Sequence, residues 1–349
     1  MHIGSIQLIE FRNYRTLSYT PSPRLNLLTG PNAQGKTNLL EALAFLLVGR
    51  SFRTSRLGDL ARWGESSAAV SGELRRQDTS RTIRRTVRML EDSRWQAAGE
   101  SCPWARVIVF GWQDLSILTG MPAARRAFID GVAGRIYPSH LPALGRYRQV
   151  LARRNLLLRT RPGEAALAPW DEQLAAVGTE LIDRRRRATA MLQTELARIY
   201  PAVSGERHKT EIRYRTELGE ATEPAALLAA IARVRRDEIR RGQSLVGPHR
   251  DDLVLELDGI DARVFGSRGQ QRLLALSLRL AEVLPVREAA GTTPVLLLDD
   301  ALSELDGTVR GHVLREIQTA EQVFLTAPEP LRVEGAARWD LRAGGLCAA

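Results

Sequence analysis

Residues Gly30-Pro31-Asn32-Ala33-Gln34-Gly35-Lys36-Thr37 place two glycines, a lysine and a hydroxyl in the spacing G-x-x-x-x-G-K-[ST]. That combination suits a polyphosphate. Glycines let the backbone turn its N–H groups inward, and a helix opening behind them adds partial positive charge. Lys36 reaches the β- and γ-phosphates, and the Thr37 hydroxyl ligates Mg²⁺. The choice of residue at 36 is informative in itself. Of 50 basic residues only Lys36 and Lys209 are lysine, so a chain that otherwise uses arginine keeps a compact ammonium here in place of a wide planar fork. Much later, Val295-Leu-Leu-Leu298 ends in Asp299-Asp300. A buried strand of this kind delivers carboxylates at its C-terminal end, with Asp299 in the Mg²⁺ shell and Asp300 placed to orient an attacking water.

These groups need elements to hold them. Ile3 to Phe11 and Leu25 to Thr29 read as strands, and a helix is predicted from about Lys36 to Leu47. Ala68 to Leu74, Thr82 to Leu90 and Arg106 to Phe110 read as further strands. From about Asp114 to Arg241 apolar residues recur at three- and four-residue spacing, in Ala123 to Ile136, Leu144 to Arg159, Trp170 to Tyr200 and Pro224 to Arg241, so this segment is predicted to be mainly helical. Strand texture returns at Leu253 to Leu257 and Arg263 to Phe265. A helix from about Gly269 to Glu288 and strands at Val295 to Leu298 and Gln322 to Thr326 complete the pattern. The expectation is an α/β domain interrupted by a helical insertion.

Composition bounds the function. Residues 1–112 carry a net charge of +7, residues 113–246 carry +8 and residues 247–349 carry −5, so the basic body points to a polyanion, with nucleic acid first. Arg184 to Arg187 and the group Arg233, Arg235, Arg236, Arg240 and Arg241 lie on predicted helices, as solvated faces or phosphate contacts. No run of about 18 uncharged apolar residues exists; the longest, Leu39 to Val48, is interrupted by Glu41. Arg12 and Arg15 fall where a signal peptide needs apolar residues. Cys102 and Cys347 are the only cysteines, too few for a disulfide framework or a thiolate metal site. No second histidine stands at ligand spacing from His249. A secreted or membrane-spanning chain is excluded on this reading, and a soluble cytoplasmic one is expected.

Ser267-Arg268-Gly269-Gln270-Gln271 opens the helix upstream of the acidic strand and resembles the signature motif of ABC-type ATPases; Ser303-Glu304-Leu305-Asp306 resembles their D-loop. Alone, such an opening is an ordinary helix cap. Five further stretches sharpen the likeness: Phe11-Arg12-Asn13-Tyr14, Gly49-Arg50-Ser51-Phe52-Arg53-Thr54, Arg125-Arg126 with Phe128-Ile129-Asp130, Gly247-Pro248-His249-Arg250-Asp251-Asp252-Leu253, and the ending from Asp299 to Asp306. Together they resemble the RecF family, relatives of SMC-type heads without the long coiled coil.

The resemblance implies an α/β, ABC-type (SMC-head-like) P-loop ATPase domain formed by residues 1–112 and 247–349, with a mainly helical lobe at 113–246. It implies ATP and Mg²⁺ as ligands, and a homodimer in which Ser267 and Gly269 meet the γ-phosphate of the opposite subunit, with Gln270 and Asp306 also at the nucleotide. Lys36, Asp300 and Gln113 are the implied catalytic groups, with Thr37, Asp299 and Gln113 at the metal. It further implies binding to gapped DNA at single-strand/double-strand junctions, work with RecO and RecR in loading RecA, and support of the SOS response. Three departures stand out. Trp112-Gln113-Asp114-Leu115 replaces the Pro-Glu-Asp-Leu common in the family, no switch histidine follows Thr326-Ala327, and Asp300 is one methylene shorter than the glutamate of transporter ATPases. Slow, DNA-stimulated hydrolysis is the expectation. An ATPase subunit of another complex, such as a transporter, is the alternative; it has no need of a basic body.

Overall fold

In the computed structural model, which describes residues 1–160, 163–342 and 344–348, short apolar runs become strands buried on both faces. The chain begins with β1 (His2–Phe11), β2 (Tyr14–Tyr19) and β3 (Leu25–Thr29), then α1 (Lys36–Val48). Four strands follow: β4 (Ser67–Arg76), β5 (Thr79–Met89), β6 (Trp95–Gly99) and β7 (Val107–Phe110). Next come α2 (Ser116–Thr119), α3 (Pro122–Ile136), α4 (His140–Arg159), α5 (Glu164–Ser204), β8 (Thr210–Arg215) and α6 (Pro224–Arg241). The remainder is β9 (Asp252–Leu257), β10 (Ile260–Asp261), α7 (Arg268–Ala281), α8 (Val283–Ala290), β11 (Val295–Leu298), α9 (Gly307–Ile317), β12 (Val323–Ala327), β13 (Ala337–Arg342) and β14 (Gly345–Ala348).

The chain divides into two compact units. The first takes Met1–Asp114, Pro201–Glu206 and the chain from Leu276 on. It holds a six-stranded sheet in the order β14-β13-β3-β12-β11-β7, parallel except for β14, and a five-stranded antiparallel sheet in the order β2-β1-β4-β5-β6. Register aligns Leu298 of β11 with Phe110 of β7 and Leu325 of β12, and Thr29 of β3 with Ala327 of β12. The C-terminal ends of the parallel strands therefore lie side by side, where open parallel sheets place their ligands. Helix α1 is apolar on nearly all sides apart from Glu41, and every residue from Leu39 to Leu47 is buried, as expected of an enclosed helix.

The second unit takes Leu115–Tyr200 and Arg207–Ala275. Its apolar cluster joins Tyr147, Leu174, Leu181, Ile182, Leu227 and Ile231 from α4, α5 and α6. Three strands in the order β10-β9-β8 accompany the helices. The lobe expected at 113–246 thus differs from the compact unit, which runs on to Ala275. The reason is strand pairing: β8 lies antiparallel to β9, with Ile212 opposite Leu255, and so ties residues beyond 246 to the helices before them.

Two local expectations are overturned. The strand at Arg263 to Phe265 is a turn, because the Asp261 side chain accepts from the Arg263 backbone N–H at 2.9 Å and from its guanidinium; local side-chain bonding wins over β propensity. The helix from Gly269 to Glu288 is two helices. Pro285 has no N–H to give and its ring clashes with the carbonyl four residues back, that of Ala281, where α7 stops. Strands β2, β6, β8, β13 and β14 were not legible in the sequence: they are short edge or charged segments held by pairing.

Candidate nucleotide-binding site

The phosphate loop runs from the buried end of β3 into α1. Gly30 and Gly35 take positive φ angles of 139° and 110°, and Ala33 adopts the left-handed conformation at 65°. A Cβ on Gly30 would stand 2.4 Å from the Leu341 carbonyl oxygen, and one on Gly35 would stand 2.6 Å from Asn13 Nδ2. Glycine is required at both places for conformation and for space. Two outward carbonyls of the loop are held from behind: Asn13 Nδ2 donates to Gln34 O at 3.2 Å and the Tyr14 hydroxyl to Gly35 O at 2.9 Å. Pro31, Asn32 and Ala33 are exposed, and the first turn of α1 carries no acidic residue, so the helix N-terminus keeps its attraction for an anion.

Lys36 Nζ donates to the carbonyls of Gly30, at 2.5 Å, and Pro31, at 2.8 Å. Partial burial pulls its proton affinity down, while the fields of Asp300 and Asp299 push it back up. Thr37 Oγ1 donates to both carboxylate oxygens of Asp299, at 3.0 and 2.8 Å. Asp299 is buried at the end of β11; desolvation raises its pKa, and the hydroxyls of Thr37 and Thr326 act against that rise. Thr326 at the end of β12 donates to Asp299 Oδ1 at 2.9 Å and accepts from the Asp300 backbone N–H at 2.8 Å. Asp300 has a left-handed φ of 52°, tolerated by a short polar side chain, and is exposed. Sequence reasoning missed Thr326, Asn13 and Tyr14 as parts of the site, because nothing in their local spacing connects them to the loop.

The remaining expected site residues make contacts of their own. Gln113 sits in a short 3-10 turn after β7, folded back towards Gly111. Its turn is anchored by Asp114, which accepts from the Gly111 N–H at 2.9 Å and from Arg279 at 2.6 Å. Among the described residues Gln113 makes no hydrogen bond to Thr37 or Asp299. Asp306 caps α9, accepting from the N–H groups of Thr308 and Val309. Ser267 and Gln270 belong to the second unit and form a capping box at the head of α7: the Ser267 N–H donates to Gln270 Oε1 at 2.9 Å, and the Gln270 N–H to Ser267 Oγ at 3.2 Å. Gly269 faces open space.

A strand, glycine loop and helix, joined at their end by a carboxylate from a neighbouring parallel strand, form a nucleoside-triphosphate cradle. The sequence model of the RecF/RecN/SMC N-terminal domain matches residues 2–339. A DNA replication and repair protein RecF of Heliobacterium modesticaldum is 36% identical, covering 99% of each chain. One from Chloroflexus aggregans is 37% identical, covering 94% of this chain and 93% of its own. Among solved structures, the recombination mediator protein RecF with ATP, in the RecFOR pathway, superposes with a TM-score of 0.89 at 28% identity, covering 100% of this chain and 97% of that one. An Smc head bound to the C-terminal winged-helix domain of ScpA shares the fold, with a TM-score of 0.57 at 15% identity, covering 100% of this chain and 97% of its own. The architecture is that of an ABC-type, SMC-head-like ATPase, and the chain belongs to the RecF family of DNA replication and repair proteins.

Proposed function

We propose that this chain binds ATP with Mg²⁺, pairs head to tail with a second copy when ATP is bound, and acts at gaps and single-strand/double-strand junctions in DNA as a weak, DNA-stimulated ATPase switch. The observation that carries this reading is the convergence of Thr37 and Asp299 beside Lys36. Thr37 and Asp299 fit a Mg²⁺ ion: they are hard oxygen donors, and Mg²⁺ is commonly held by one or two protein groups, phosphate oxygens and waters. When bound, the cation supplies charge neutralisation at the β- and γ-phosphates.

The protein's own groups have distinct tasks. Backbone N–H groups of Asn32 to Thr37 grip the phosphates, and Lys36 offsets their charge. Asp300 orients the attacking water, and Gln113 would complete the shell of the metal. Ser267 and Gly269 of the second copy cover the γ-phosphate, bordered by Gln270 and Asp306. In this reading residues 1–112 and 247–349 are the ATP-binding part, and 113–246 the lobe that closes on DNA. The +7 and +8 charges of the first two segments support a phosphate-contacting surface. The named RecFOR pathway of the solved relative supports RecO and RecR as partners; the family resemblance extends this reading to RecA loading, the SOS response and a nucleoid-associated location.

The test is fluorescence anisotropy of a gapped duplex with and without ATP–Mg²⁺ across a salt series. Tighter binding with ATP and a steep loss with salt are expected; equal binding in both states would refute nucleotide gating. Ser267→Arg is expected to keep ATP binding and abolish ATP-dependent dimerisation. A Ser267→Arg chain that still dimerises with ATP would sink the sandwich.

A further inference from the structure

The longest apolar run in the sequence is interrupted once, by Glu41, and the interruption does not face solvent. Glu41 is fully buried on α1, about one turn beyond Thr37. A carboxylate there is tolerable only if cations meet it with good geometry. Arg12 does so as a fork, Nε to Oε2 and Nη2 to Oε1, both at 2.7 Å. Ser51 Oγ donates to Oε1 at 2.5 Å and Arg53 Nη1 approaches Oε2 at 3.4 Å. One carboxylate therefore gathers α1, the turn between β1 and β2, and the loop after α1.

The contacts continue into a closed ring. Arg53 Nη1 also donates to Asn38 Oδ1 at 2.7 Å, and Asn38 Nδ2 donates to Asn13 Oδ1 at 2.8 Å. Asn13 follows Arg12 in the chain, which closes the circuit, and Asn13 and Tyr14 hold the outward carbonyls of Gln34 and Gly35. A phosphate loop works only if its N–H groups point inward, which requires those carbonyls to be kept outward. An apolar side chain at 41 would serve packing alone as well or better.

We propose that Glu41 is a positioning residue of the nucleotide site: through Arg12 and Arg53 it sets the Asn13–Asn38 ladder that keeps the phosphate loop in its anion-binding conformation. This inference rests on the ATP reading above. The test is Glu41→Gln in the full chain, which keeps the shape and removes the charge. ATP–Mg²⁺ affinity is measured by calorimetry well below the melting temperature, with melting followed separately. A rise of about tenfold in Kd is expected. Arg53→Gln is expected to weaken ATP similarly, and the double variant to bind no more weakly than either single one, the sign of one coupled unit.

Ser51→Ala removes a single hydrogen bond to the same carboxylate. It keeps the proposal testable should Glu41→Gln fail to fold, with a rise of about two- to threefold expected. Folded Glu41→Gln or Ser51→Ala chains with lowered melting temperatures and unchanged Kd would reduce Glu41 to a core brace and overturn the proposal. An unaltered chain that does not bind ATP would instead overturn the ATP reading and this inference with it.

Discussion

Both units pair buried charge, Glu41 with Arg12 in the first and Arg154 with Asp171 and Glu238 in the second, but they differ in what their other cations are left to do. In the first, the phosphate loop offers backbone N–H groups, and among the described residues Lys36 donates to two carbonyls of that loop. In the second, cations and carboxylates are matched inside the fold. Arg154, fully buried, donates to Asp171 at 2.7 Å, Glu238 at 2.6 Å and Ser244 at 2.6 Å. Arg125 forks onto Asp252, and Arg185 forks onto Asp130 while a further nitrogen donates to the Pro248 carbonyl. The Arg184–Arg187 run, a phosphate-contact candidate in the sequence, is engaged at home. Arg184 pairs with Glu180, Arg186 reaches the carbonyls of Gly219 and Ala221, and Arg187 reaches Asp183. Formal charge therefore overstates what a lobe can offer a polyanion. Arg233, Arg236 and Arg241 on α6 remain exposed.

The contrast is open to direct attack. The largest effect is expected from Arg154→Met, which leaves Asp171 and Glu238 buried without their cation. A loss of about 3–5 kcal/mol in denaturant unfolding is expected, with ATP affinity of the folded chain unchanged. A neutral result would mean that the charges of the second unit are not structural. Lys36→Ala reverses the pattern. ATP affinity should fall at least about a hundredfold, or roughly 2.7 kcal/mol by titration, while the unfolding midpoint without nucleotide stays in place.

A third prediction concerns pH. Burial pushes the Asp251 pKa up to about 6, against the pull of Tyr214, Thr216, Arg185 and Arg186. The folded chain therefore holds a proton there that the unfolded chain has released, from about pH 4 to about pH 6. That contribution to stability is present below this window and lost as pH rises through it. Burial acts in the other direction on His249, whose pKa falls to about 4, so its contribution is lost as pH falls from about 6.5 towards 4. The two partly cancel in the unaltered chain. Asp251→Asn removes only the first, so the variant should gain on the parent as pH rises from 4 to 6 and hold a constant difference above. A gap independent of pH would show Asp251 to be ionised throughout. The smallest effect is expected from Ser267→Ala, which removes a cap at about 1 kcal/mol and should separate the structural part of that serine from any role in dimerisation.

Much of the fold was legible because local signals agree with it. The apolar runs of β3, β11 and β12, Pro224 opening α6 and Gly242 closing it in the left-handed conformation, and the glycine loop all state their structure over a few residues. Where the reading failed, a contact from another residue decided. Asp261 turned the strand expected at Arg263 to Phe265, and Pro285 broke a helix that its apolar spacing carries through.

The sequence by itself determined the chemistry of the nucleotide site: Gly30, Gly35, Lys36 and Thr37 act through backbone conformation and charge within eight residues, and Asp299 is announced by the apolar strand before it. Only the tertiary structure decided which further residues serve that site and which charges are free. Parallel pairing sets Thr326 beside Asp299, a turn near the N-terminus sets Asn13 and Tyr14 behind the loop, and burial turns Glu41 from a blemish in an apolar run into a hub for two arginines. Such partners are fixed by long-range packing and desolvation, which pattern over a short stretch of chain does not encode.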